Sequence, residues 1–154
     1  MKQVWLIKVG LVTCPDVCSS CQAVLNGRFS ISPGDLLIFY YESLANLYNN
    51  PGFYPEACCV SCVSDVRYQT SYGGAETIIT LSDCMRIGNI FLHNMLPQGF
   101  RLLDVTPLGD YSDQIVNNLG KLGIPVMNLP CMRASAVRTG LPASTSLDCE
   151  LLVM

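Results

Sequence analysis

The chain has 154 residues, half of them hydrophobic and only 14% charged, with a formal net charge of −3. That length fits one domain with a sizeable core. The acidic balance, with Lys and Arg scattered in no run or stripe, argues against a nucleic-acid partner on electrostatic grounds.

Ordinary soluble domains carry roughly 25% charged residues, so a surface this poor in charge is expected to be covered by a membrane or by other subunits. A spanning helix needs ~20 consecutive apolar residues. The best runs, residues 4–12 (broken by Lys8 and Gly10) and residues 36–41, are too short. Burial against other protein subunits is therefore the expectation, in an oligomer or larger assembly. Met1-Lys2 followed by an apolar run and Cys14 has the outline of a lipoprotein signal. Lys8 breaks the run and Thr13 is a poor residue before the Cys, so no cleaved signal is expected.

Residues 3–13, QVWLIKVGLVT, read as a strand with apolar residues on both faces, hence covered on both. A loop from Cys14-Pro15 to Cys21 follows, then a short segment, residues 23–30, with Asn26-Gly27 as its turn. Ser32-Pro33-Gly34-Asp35 is a strong turn signal, because Pro presets one position and Gly accepts positive φ at the next. Residues 36–42 follow as a buried strand. Residues 44–48 read as a helical turn stopped by Asn49-Asn50-Pro51-Gly52, with Phe53, Tyr54 and Pro55 in a loop. The aromatic side chains Trp5, Phe39, Tyr40, Tyr41, Tyr48, Phe53 and Tyr54 are candidates for a subunit interface or for sealing the end of the sheet.

Residues 63–70 and 76–81 read as a hairpin about Tyr72-Gly73-Gly74, with Ser82-Asp83 closing its second strand. Residues 87–93 and 100–106 read as the next pair, about Pro97–Gly99. Only residues 112–122 look helical: Ser112 can cap, Asp113 suits the helix start, and Ile115, Val116 and Leu119 share a face. Two further strands are expected, residues 132–139 and 147–153. The second alternates Leu147, Cys149, Leu151 and Val153 with Asp148 and Glu150. Eight to ten short strands with Gly and Pro turns predict a mainly β fold, an antiparallel β-sandwich or jelly-roll-like barrel with one short helix. Any division would separate a cysteine-rich arm, residues 1–62, from the sandwich at residues 63–154; a single domain is the alternative.

The cysteines number nine. Cys14, Cys18 and Cys21 form one cluster and Cys58, Cys59 and Cys62 another, whereas Cys84, Cys131 and Cys149 stand singly, in or beside predicted strands, and read as plain buried thiols. A C-x2-C bend lets two thiolates reach one tetrahedral metal, so the six clustered residues are the candidate ligands for zinc or an iron–sulfur cluster. Disulfides and plain buried thiols are the other readings, and no cofactor is the default. The C-x3-C-x2-C triplet resembles the cluster signature of radical SAM enzymes, but the chain is short for that barrel. His93, the single His, stands at the end of an apolar run and reads as a satisfied structural residue. Neither a paired-carboxylate context nor a phosphate-binding loop is present, so no enzyme is expected.

Residues 76–107 carry one resemblance. Leu96, Pro97, Gly99, Leu103, Asp104 and Val105 match a strand–turn–strand pattern similar to that of small structural proteins of tailed-phage virions. The resemblance implies a β-sandwich that decorates or cements a capsid, or joins head to tail, in the virion. Its partners would be copies of itself and capsid-type proteins.

Overall fold

The computed structural model describes residues 3–10, 19–47 and 49–133. Among these residues the fold is mostly β, with one short helix and a strongly curled, half-barrel sheet. Six strands make that sheet among the described residues: β1 (Val4–Lys8), β2 (Gln22–Asn26), β3 (Leu36–Leu47), β4 (Asn50–Ser71), β5 (Gly74–Phe91) and β6 (Val105–Pro107). Their order across the sheet is β2-β5-β4-β3-β1-β6. Every pairing is antiparallel except β1 on β3, which is parallel, with Val4 opposite Leu36 and Lys8 opposite Tyr40.

The apolar runs of β1 and β3 lack strict alternation because both faces of the sheet are buried. On one face Leu6, Leu36, Ile38 and Tyr40 pack against helix α1 (Ser112–Lys121) through Ile115, Val116 and Leu119. On the other, Trp5, Ile7, Leu37 and Phe39 meet Cys59, Val63, Ile79 and Leu81 inside the curl of the sheet. Two cores on one small sheet account for much of the chain's apolar content without a covering subunit.

The turn before β3 locks the N-terminal strand in place. Gly34 takes a φ of +93°, and the Asp35 N–H donates to the Ser32 carbonyl. The Asp35 carboxylate is thereby turned inward, where it accepts hydrogen bonds from Trp5 Nε1 (3.0 Å) and Ser32 N (2.9 Å). Trp5 is thus held as a core residue.

Four local expectations are corrected. Residues 44–47 are strand, not a helical turn, and Phe53, Tyr54 and Pro55 lie within β4, because β3 and β4 pair without a break from Tyr40↔Ala57 to Leu47↔Asn50. The reversal is made by Asn49, whose φ of +60° suits the left-handed region that Asn tolerates. Ser82-Asp83 does not end a strand: Asp83 (φ +53°) is a kink inside β5, which runs on to Phe91. Residues 92–94 form a 3₁₀ turn rather than strand and residues 100–104 are irregular, so of the expected second pair residues 87–91 form the end of β5, and only the short β6, which pairs with β1 instead, remains of the other strand. Helix α1 forms where its apolar spacing predicts, but Ser112 does not cap it. Its Oγ accepts from Val4 N (3.1 Å) and so ties the helix to β1. The division after residue 62 falls inside β4. Most of the two predicted C-terminal strands lies outside the described residues.

Candidate functional site

The sequence-nominated residues scatter. Trp5, Phe39 and Tyr40 are at most 4% exposed and belong to the core, not to a surface. Tyr41 and Tyr54 are half-buried, Phe53 is exposed, and Tyr48 lies outside the described residues. Of the six candidate metal ligands, Cys14 and Cys18 also lie outside them. Cys62 is joined to Cys131 in a disulfide across 69 residues, and Cys58 is disulfide-bonded too, so neither offers a thiolate. The disulfide also replaces the reading of Cys131 as a plain buried thiol. Cys21 is buried beside the start of β2, and Cys59 contacts Cys84 rather than joining a ligand set. Among the described residues no group of three metal-ligating side chains gathers.

His93 does not stand as a satisfied residue: among the described residues neither ring nitrogen has a hydrogen-bond partner, although both are buried. Its ring leans on Tyr54 (5.0 Å between centroids) and Phe91 (6.1 Å). A shallow recess of about 280 Å³ beside α1 is lined by Val116, Ile124, Pro125, Met127 and two glycines, and so offers no polar side chain to a ligand.

The surface with the most chemistry is an arm formed where the ends of β4 and β5 run past β3. Only the short β2 flanks it there, pairing with β5 from Gln22↔Thr80 to Asn26↔Glu76. Thr77, buried in β5, builds its shape. The Thr77 hydroxyl donates to the Gly27 carbonyl (2.8 Å) and accepts from Phe29 N (3.1 Å), so one side chain fixes the turn after β2. Gly27 is required in that turn: its φ is +114°, and a Cβ there would stand 3.1 Å from the Phe29 ring. The turn presents Arg28, whose guanidinium lies 4.3 Å above the Tyr68 ring of β4, a cation–π stack. The Tyr68 hydroxyl donates back to the Phe29 carbonyl (2.8 Å), which holds the ring under the guanidinium.

Around this stack the arm is exposed. Tyr72, at its tip between Ser71 and the glycine pair, is fully solvent-facing. Arg67 faces out on the opposite side, in the row that holds Ile78 and the half-exposed Val24. The carboxylates are Asp65 and Glu76, and Glu76 is engaged by the Gln69 side-chain amide at 2.8 Å. Two guanidiniums balance two carboxylates, so the arm has planar and cationic groups but no net charge. Sequence reading found the hairpin and its turn. It missed the site because Arg28 and Tyr68 are 40 positions apart and meet only through the β2–β5–β4 pairing; the signal available was Asn26-Gly27 directly before an Arg.

No protein-family model and no curated protein matches the chain. Among solved structures it is similar to two from Zymomonas mobilis. One is a point mutant of the ASCH protein ZmASCH, at 10% identity and a TM-score of 0.58, covering 77% of this chain and 96% of that one. The other is ASCH itself, at 8% identity and a TM-score of 0.54, covering 74% and 94%. At this identity the likeness speaks for the fold. It overturns the virion resemblance drawn from residues 76–107, since the neighbours are ASCH proteins and not capsid decoration or head–tail proteins. The Leu96–Gly99 motif follows a 3₁₀ turn and leads into irregular chain, not into a second strand of a sandwich. The capsid partners fall with it, and so does the exclusion of nucleic acid. Net charge bounds how strongly a protein attracts phosphate at a distance, not whether it can stack on bases.

Proposed function

We propose that this chain is a nucleic-acid-binding module, and that its arm engages single-stranded RNA. The observation that carries the reading is the Arg28–Tyr68 stack on the same arm as the exposed Tyr72 at its tip. Flat aromatic and guanidinium surfaces are what unstacked bases lie on. The ASCH-like fold supports the same reading, since that fold is of the PUA-like, RNA-binding kind.

In this reading Tyr72 takes one base on its open ring. The Arg28 guanidinium, already stacked on Tyr68, takes a second base or its phosphate. Arg67 contacts the backbone from the other side of the arm. A duplex is disfavoured, because its bases are already stacked and a locally neutral arm gains little from phosphates alone. The role is binding without catalysis: His93, the single imidazole, sits beyond the opposite end of β5 from the arm.

The test is fluorescence anisotropy of a labelled mixed-sequence RNA oligomer, single-stranded and as a duplex, with wild type, Tyr72→Ala and Arg28→Ala. The single strand is expected to bind in preference, and Tyr72→Ala to weaken binding by about 1–3 kcal/mol, the usual worth of one base–aromatic stack. No binding up to ~100 µM, the weak end of non-specific affinities, or equal binding by wild type and both variants, overturns the reading.

A further inference from the structure

The ladder between β4 and β5 is irregular at its middle, and the irregularity brings two sulfurs together. Val60 faces Met85 and Cys62 faces Ser82, so Asp83 and Cys84 of β5 stand against Ser61 alone in β4. This is a β-bulge, and the left-handed φ of +53° at Asp83 is its signature. Cys59 lies directly opposite Arg86, two residues beyond Cys84. In an unbroken ladder such a diagonal pair stands roughly 7–8 Å apart, somewhat less between Cβ atoms, against ~3.5–4.5 Å between the Cβ atoms of a disulfide. Here Cys59 Sγ and Cys84 Sγ are 2.7 Å apart. Cys59 is fully buried among Leu37, Phe39 and Leu81, whereas Cys84 is partly open to solvent.

We infer that Cys59 and Cys84 form a reversible dithiol–disulfide site, with Cys84 the entry thiol and Cys59 the resolving thiol, oxidised by a small-molecule disulfide. In the first step the Cys84 thiolate attacks one sulfur of the small disulfide. A Cys84 mixed disulfide forms and one small thiolate leaves, taking up a proton. In the second step the Cys59 thiolate attacks the Cys84 sulfur, the Cys59–Cys84 bond forms, and the second small thiolate leaves. The two protein thiols lose two electrons and two protons, and the small disulfide becomes two thiols. Exposure sets the order, because only Cys84 can be reached from solvent. Closure would tie the two longest strands together at the root of the arm. The inference rests on the bulge and the contact, and stands apart from the nucleic-acid reading.

The full-length chain is incubated with oxidised glutathione, alkylated with N-ethylmaleimide under denaturing conditions and digested for mass spectrometry. The expected result is the loss of two alkylatable thiols and a linked Cys59–Cys84 peptide, two hydrogens lighter than its parts and reopened by reduced glutathione. Cys59→Ser is expected to trap the glutathione adduct on Cys84, and Cys84→Ser to leave Cys59 unmodified in the native protein. The inference is overturned if wild type keeps both thiols alkylatable, if it holds glutathione on Cys84 beside an alkylatable Cys59, or if either residue links to a different cysteine. Should a variant not fold, the linked peptide in wild type decides alone.

Discussion

Asp35 and Tyr40 show how single polar groups hold an apolar interior in register. The Asp35 carboxylate is 7% exposed and accepts from Trp5 Nε1, Ser32 N and, at 3.3 Å, Gln3 N. Asp35→Ala would leave three donors without their acceptor and is expected to cost about 2–4 kcal/mol. Urea unfolding followed through Trp5, the single tryptophan, measures it. Tyr40 donates its hydroxyl to the Leu103 carbonyl (3.0 Å), and burial, with the carboxylates of Glu42 and Asp104, pushes its pKa up to about 12. A phenol whose folded pKa exceeds its unfolded value near 10 keeps its proton longer in the folded state. Its stabilising share is complete below pH ~10 and is lost as pH rises toward ~12. Stability is therefore expected to fall across that window in wild type and less steeply in Tyr40→Phe, as read by denaturation at a series of alkaline pH values. Both residues were visible as a turn aspartate and a strand tyrosine; what they bind was not, because their partners lie 30 and 63 positions away.

At the scale of elements, local pattern located structure well wherever it needed no distant partner. Helix α1 and its buried Ile115, Val116 and Leu119 follow from spacing alone, as do the turns at Gly27, Gly34 and Gly73-Gly74. The strand lengths did not follow. Residues 44–55 contain Asn, Pro and Gly, which read as breakers, yet β3 and β4 pair through them because each completes the other's hydrogen bonds. Ser82-Asp83 misled for the same reason: a bulge and a strand end look alike until the partner strand is in place. The disulfide between Cys62 and Cys131 anchors the 3₁₀ segment Pro130–Arg133 to β4 from 69 residues away. Removing it by Cys62→Ala with Cys131→Ala is expected to cost about 2–4 kcal/mol, chiefly through loop-closure entropy in the unfolded chain. Thermal melts under non-reducing conditions, against wild type, give the number.

For the whole molecule, low charge has a different consequence from the one composition suggests. Burial of both sheet faces absorbs apolar residues that would otherwise demand a covering partner. What remains is an acidic chain whose arm is locally neutral, with Arg28 and Arg67 against Asp65 and Glu76. If the arm binds single strands by stacking, affinity is expected to fall only gently with salt. Two phosphate contacts imply a log–log slope near about −1.4, and a titration of RNA affinity against salt concentration measures it. A much steeper slope would place the binding on a basic surface elsewhere.

The sequence by itself determined the mainly β character, the helix that begins at Ser112, the doubly buried first strand and the tight turns, since each depends on residues within a few positions of one another. Only the tertiary structure decided which cysteines pair, which aromatics are core, and which strands run on past their apparent ends. It also decided that Arg28 lies over Tyr68. Those outcomes depend on strand register, and register is settled by burying two opposite faces at once, a condition that no local stretch of chain carries.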